Sequence, residues 1–272
     1  MSPPTLPSQA SPASISAAAR GRILAVTSGK GGVGKTFMSA NLAAALTRLG
    51  ERVLVLDADL GLANLDVVLN LFPKVTLHDV FTGKATLEDA ILPAPGGFSV
   101  LLAGSGLVEY SRLTAEVREQ LLKVIETVAP RFDRILLDTG AGISDVVLFA
   151  VSLADEVLVV ATPEPTSLTD AYATIKVLVG QQQRRLIKLV VNQVNRVGEG
   201  RVIRGQLQQV LDRFVVPTLD GEHATIRLEL MGEVPLDGAV REAVQKRQLL
   251  LELLPGSAAA QGIVEIATRL KS

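Results

Sequence analysis

The 272 residues carry 27 lysines and arginines against 28 aspartates and glutamates, a formal net charge of −1, so no overall positive field exists to hold nucleic acid, and DNA binding is disfavoured. The absence of cysteine excludes disulfides, thiolate zinc sites and iron-sulfur clusters. Hydrophobic residues reach 48% with only 3% aromatic, which calls for an aliphatic core of the kind found in parallel sheets covered by helices on both faces.

Residues 1–20 are rich in Pro, Ser and Ala, hold no charge before Arg20 and lack a continuous apolar core; they read as a disordered tail rather than a secretory signal. Residues 21–272 read as a single domain. Ile23-Leu24-Ala25-Val26 predicts a buried parallel strand, followed by Gly29-Lys30-Gly31-Gly32-Val33-Gly34-Lys35-Thr36, which satisfies the phosphate-loop spacing G-x-x-x-x-G-K-[ST]. Met38, Leu42, Ala45, Leu46 and Leu49 then recur at helical spacing until Gly50, a left-handed cap. Strand, glycine loop and helix N-terminus together make an anion site, with backbone N–H groups and the positive end of the helix dipole facing phosphates. Lys35 is placed to neutralise β and γ phosphates and the Thr36 hydroxyl to ligate Mg2+, with Phe37 next to them as a further nucleotide contact. Lys30 is a cation near a helix N-terminus, mildly unfavourable unless an anion compensates it. It is either a slightly misplaced solvated lysine or a charge supplied in trans to a γ-phosphate.

Further apolar runs end in polar residues: Val53–Leu56 into Asp57, Arg134–Leu137 into Asp138, Val157–Ala161 into Thr162 and Ile187–Val191 into Asn192, with Phe98–Leu102 as one more candidate strand. Each places a functional residue at a carboxyl end, where ligands bind in open α/β sheets. Between them lie helical patterns over Glu116–Val128 and Ser167–Val179, the second opened by the capping-box spacing Ser167-Leu-Thr-Asp170. This alternation predicts an α/β fold, a doubly wound and mostly parallel sheet with helices on both faces. The most apolar stretch, Val146–Thr162, is too short and too charged at Asp155-Glu156 to span a bilayer, so a cytoplasmic protein is expected.

Asp57 and Asp59, two apart beside the phosphate loop, suggest metal-water chemistry, with a helix N-cap before Leu60–Leu69 as the alternative for Asp59. Asp138, followed by Thr139-Gly140-Ala141-Gly142, would act on Mg2+ through water ahead of a mobile segment, or serve as a plain turn residue. An amide can pair with both donor and acceptor on an adenine edge, and Asn192-Gln193-Val194-Asn195 lacks the lysine and aspartate of a guanine-reading N-K-x-D motif, so ATP is preferred to GTP. His78 and His223 have no metal-like partners and receive no role. The clusters Arg184, Arg185, Lys188 and Arg196, Arg201, Arg204 read as a solvated face. The stripe Ile263, Ile266, Ala267, Leu270 fits a core-packed last helix as well as a lipid anchor.

On its two-lysine loop the chain resembles the deviant Walker A ATPases of the MinD/ParA family. The resemblance implies ATP and Mg2+ as cofactors, slow ATP hydrolysis, and a nucleotide-sandwich homodimer in which Lys30 reaches the partner's ATP. It assigns Asp57 to a water of the Mg2+ shell, Asp59 and Asn64 to switch I with Asp59 positioning the hydrolytic water, and Asp138 to the Walker B position ahead of switch II. Gly232-Glu-Val-Pro235-Leu-Asp237 is similar to the family's second nucleotide-side loop, which makes Pro235 and Asp237 candidates for contacts near the base, or turn residues. Without cysteine the chain is unlike the nitrogenase iron protein and the iron-sulfur carriers of the same loop type.

Asp57-Ala-Asp-Leu-Gly-Leu-Ala-Asn-Leu-Asp66, Ala161-Thr-Pro-Glu-Pro-Thr-Ser-Leu-Thr-Asp-Ala-Tyr172, Val240–Val244 and Pro255–Ala259 are similar to the flagellar-number regulators, the MinD-like ATPases called FlhG or FleN. That branch implies a cycle between an ATP-bound dimer at the inner face of the membrane and an ADP-bound monomer, restraining flagellar assembly through the GTPase FlhF or a flagellar transcription activator. Of the branch's N-terminal GTPase-activating segment, D-Q-A-x-x-L-R, only Ser8-Gln9-Ala10 and Ala19-Arg20 have counterparts. A division-site MinD-type ATPase, a ParA-like DNA partition ATPase and an ATP-dependent metabolic enzyme are the alternatives.

Overall fold

The computed structural model describes residues 20–61, 64–104, 113–219 and 224–272. The Pro/Ser/Ala-rich segment before Arg20, the Ser8-Gln9-Ala10 string and His223 lie outside the described residues.

An eight-stranded sheet runs in the order β3-β4-β2-β5-β1-β6-β7-β8. Its strands are β1 (Arg22–Ser28), β2 (Val53–Ala58), β3 (Ile91–Pro93), β4 (Ser99–Leu101), β5 (Arg134–Ala141), β6 (Glu156–Ala161), β7 (Leu186–Val194) and β8 (Arg227–Pro235). All neighbours pair in parallel except β3 with β4. The helices are α1 (Lys35–Arg48), α2 (Leu65–Leu69), α3 (Leu77–Phe81), α4 (Leu87–Ala90), α5 (Ala115–Val128), α6 (Asp145–Ser152), α7 (Pro165–Gln182), α8 (Glu199–Phe214), α9 (Gly238–Lys246), α10 (Leu250–Leu253) and α11 (Ala258–Lys271).

The period of two along each strand divides the interior into two cores. Leu54 and Leu56 of β2 face one, with α5, α6, α7 and α8, while Val53 and Val55 face the other, with α1 and α11. Central strands buried on both faces are continuous apolar runs, which is why β1, β2, β5, β6 and β7 are found where the sequence puts them.

Three expectations change. The helix expected over Ser167–Val179 begins at Pro165, with Glu164 as its N-cap. Pro165 suits the first helical position because its missing N–H has no partner to lose, and Ser167 instead accepts a hydrogen bond from the Thr162 N–H at 3.0 Å. The stripe Ile263, Ile266, Ala267 and Leu270 is entirely buried against α1 and β8, so it is core and not a lipid anchor. Arg184 and Lys188 are not merely solvated. Arg184 donates to the Val151, Ala154 and Asp155 carbonyls where α6 ends, and Lys188 lies 3.5 Å from both Glu156 and Glu229. Among the described residues, no helix is long and apolar enough to cross a membrane.

Candidate functional site

β1 lies at the centre of the sheet, and its carboxyl end delivers the chain into the loop of residues 29–34. Gly32 and Gly34 take φ of +80° and +94°, the left-handed region, which turns the backbone into α1. α1 has neither a side-chain cap nor an acidic residue in its first turn, so its free N–H groups are left for an external anion.

The loop opens on a cavity of about 590 Å3 that also receives Asp59 from the end of β2 and Thr139, Gly140 and Ala141 from β5. Lys35 is only 9% exposed, and its Nζ donates to Ser28 Oγ at 2.9 Å, while that hydroxyl donates to the Lys30 carbonyl at 2.7 Å. Burial lowers the Lys35 pKa, and the nearby Asp138 and Asp59 charges oppose the shift.

Asp57 and Asp138 are register partners on adjacent strands, both nearly inaccessible to solvent. Asp138 accepts Ser39 Oγ at 2.8 Å and the Thr36 hydroxyl, yet burial pushes its pKa up to about 6. Asp57 is raised well above the carboxylate range by burial first and the Asp138 charge second, despite accepting the Asp59 and Leu65 N–H groups at 3.2 and 3.4 Å. Two repelling carboxylates beside a threonine hydroxyl, an ammonium group and empty N–H donors fit a divalent cation together with a phosphate. Mg2+ takes one or two carboxylates and completes its shell with water and phosphate oxygens. Correspondingly, no cluster of three or more acidic or histidine side chains among the described residues could hold a metal by itself.

Between the Asp138 pKa values of the unfolded and folded chain, the native state binds the extra proton, so stability falls as pH rises from about 4 to about 6 and the penalty persists above that. Asp138→Asn, which keeps an acceptor for Ser39, should therefore be more stable than the parent by about 2–3 kcal/mol at pH 8 without Mg2+ or nucleotide. The advantage should vanish near pH 4 in a urea-denaturation series; equal stabilities at pH 8 would contradict it.

Asp59 is not a helix cap. α2 starts at Leu65 with Asn64 in the N-cap position, and the Asp59 side chain faces Gly140, where an added Cβ would lie 3.3 Å from its carboxylate. Lys30 stands apart from the cavity: its Nζ contacts Glu164 at 2.8 Å and Thr166 Oγ1 at 3.1 Å, both at the start of α7. It is thus neither simply solvated nor directed at its own loop.

A second cavity, about 470 Å3, adjoins Gly34 and brings together Phe37, Asn192, Pro235 and Asp237. Two of these have other duties. The Asn192 amide donates to the Val33 carbonyl at 2.8 Å and accepts the Gln193 N–H at 3.0 Å, so it props the phosphate loop from the wall of this cavity. Asp237 caps α9 through the Ala239 N–H at 2.9 Å and accepts the Ala259 N–H at 3.2 Å while lining the same cavity. Sequence reasoning missed Ser28, Ser39, Glu164 and Gln193. Of these, only Ser39 carried a signal, three residues after Thr36 and therefore on the same helix face.

A family model described as ParA, NUBPL iron-transfer P-loop NTPase, matches residues 20–271. The chain belongs to the ParA family of P-loop NTPases. Antiactivator FleN of Pseudomonas aeruginosa is 41% identical over 92% of this chain and 86% of its own length. Flagellum site-determining protein YlxH of Helicobacter pylori is 33% identical over 92% and 82%. Among solved structures, the septum site-determining protein MinD of Pyrococcus horikoshii, complexed with Mg-ADP, superposes with a TM-score of 0.75 at 27% identity, covering 92% of this chain and 96% of that one. This ParA-family chain is an ATPase of the MinD-like type and falls in the FleN/FlhG branch. The chain has no cysteine, and so no thiolate to offer an iron-sulfur cluster.

Proposed function

We propose that this chain is a MinD-like ATPase that restrains flagellar number or placement by switching between an ADP-bound monomer and an ATP-bound homodimer. The observation that carries the switch is the position of Lys30: the chain's own phosphate site is already served by Lys35, and Lys30 points out of it to α7. A second lysine so placed, held by Glu164 and Thr166 in a partly exposed ion pair, could exchange those contacts for a facing subunit's nucleotide.

In this reading the N–H groups of Gly31 to Thr36 and the Lys35 ammonium hold the β and γ phosphates. The Thr36 hydroxyl would bind Mg2+ directly, with Asp57 and Asp138 holding its waters. The ion would supply charge neutralisation to the phosphates. Asp59 orients the attacking water, and Lys30 of the facing subunit stabilises charge developing on the γ-phosphate. Gly140 allows the backbone after Asp138 to answer the loss of that phosphate. Phe37 and Pro235 flank the base, with Asn192 acting on the loop behind it.

FleN's description as an antiactivator favours a transcription activator as the partner over the GTPase FlhF. Action in the cytoplasm suits this role, and any contact with the inner face of the membrane would use a surface other than the buried stripe of α11. Lys30→Ala should keep ATP affinity within about threefold while turnover falls by roughly a thousandfold, as for other cations supplied in trans. Filter binding and phosphate release separate the two effects; loss of ATP binding itself would mean that Lys30 serves its own site.

A further inference from the structure

We propose that an arginine-lined groove along the outer edge of β8, remote from the nucleotide site, binds an acidic extended segment of a partner polypeptide. Among the described residues, β8 ends the sheet and pairs only with β7. Along that open edge runs a groove of about 570 Å3, floored by the consecutive residues Thr225 to Leu230 and flanked by α8 and α11. Six residues of extended chain span about 20 Å, the reach of a short peptide laid beside a strand.

Arg201, Arg204, Arg227 and Arg269 line this groove against two acids, Asp212 and Glu229, a local excess of two positive charges (4 − 2) on a chain whose net charge is −1. Both acids are already engaged. Asp212 accepts Gln208 Nε2 at 2.8 Å, and Glu229 lies 3.5 Å from Lys188 and 3.9 Å from Arg227. The side chains of Arg201 and Arg204, one helical turn apart on α8, have no hydrogen bond or ion pair with any described residue. Two planar guanidinium forks on one side of a groove, unpaired among the described residues, match carboxylates in bidentate geometry.

The edge itself is partly closed by side chains. Gln208 imitates a ninth strand, accepting the Leu228 N–H at 2.9 Å and donating to the Ile226 carbonyl at 2.7 Å, while Arg269 donates to the Met231 carbonyl at 3.0 Å. This blocks indiscriminate strand addition and leaves recognition to the arginines. The chain's own first 19 residues contain no aspartate or glutamate, so they lack the charge to fill the groove in cis. A confined patch on an acidic chain, following one strand, suits an acidic peptide better than a nucleic-acid backbone, which is held by a broad positive surface.

The test is fluorescence anisotropy with the full-length protein and a fluorescein-labelled peptide alternating Glu and Thr, with a Lys/Thr peptide and a short random DNA duplex as the other arms. The acidic peptide should bind saturably with or without ATP, and Arg201→Glu with Arg204→Glu should weaken it by about tenfold or more. ATP turnover in that variant should be unchanged, which separates this proposal from the account of the nucleotide site and shows that the variant is folded. No saturable peptide binding, equal binding by the double variant, or duplex binding in place of peptide binding would overturn it.

Discussion

Gly29→Ala should lower the melting temperature by roughly 6–10 °C, corresponding to about 3 kcal/mol in a domain of this size. A Cβ at this position would lie 2.2 Å from the backbone carbonyl carbon and oxygen of Asp170 and 2.8 Å from the Ala171 nitrogen. These are backbone atoms in the second turn of α7, which cannot swing aside as a side chain would. To make room, α7 must move off the end of β1, and with it Glu164 and Thr166, the partners of Lys30. Gly31→Ala is the matched control. An added Cβ there meets nothing within 4 Å, so that variant should melt close to the parent in the same calorimetric scan. Equal melting temperatures for the two would mean that α7 does not rest on the loop.

Lys35→Ala should reduce ATP turnover by roughly a hundredfold to a thousandfold, the cost of removing one preorganised charge from a developing oxyanion. Lys35 is held by Ser28 at the mouth of the cavity, with its own charge disfavoured by burial. Arriving phosphates supply the missing anion, so much of the interaction is realised only with nucleotide bound. Unlike Lys30→Ala, this variant should lose nucleotide affinity together with turnover. Without bound nucleotide its stability should change little, since the lysine removed is a buried cation whose desolvation outweighs its hydrogen bond to Ser28 and its attraction to Asp138 and Asp59. Turnover within tenfold of the parent would refute the assignment.

The strands that position the site were legible because each is an apolar run closed by a polar residue, as at Asp57 and Asp138. β8 was not, because Arg-Leu-Glu-Leu-Met-Gly-Glu mixes charges into an edge strand that the sheet does not bury on its outer side. Ser167 misled because a capping-box spacing occurs inside a helix that Pro165 had already opened. In the site, the loop follows from its spacing, and the three aspartates stand out beside it, with their separate roles implied by the family resemblance. The contacts that tune them do not show in the sequence. Ser39 meets Asp138 across 99 residues and Lys30 meets Glu164 across 134, pairings that only the folded sheet creates. Asn192 and Asp237 lie beside the expected cavity but spend their polar atoms on the loop and on helix ends.

The account turns on whether ATP joins two copies of this chain through Lys30. The most direct measurement is the molar mass of Asp59→Ala by light scattering with ATP and Mg2+, where hydrolysis should be blocked and the bound state should persist. The mass should double from the 28.7 kDa of the monomer, and remain at the monomer value when Lys30→Ala is added to the same chain. A mass that stays monomeric with saturating ATP, or a dimer indifferent to Lys30, would contradict it.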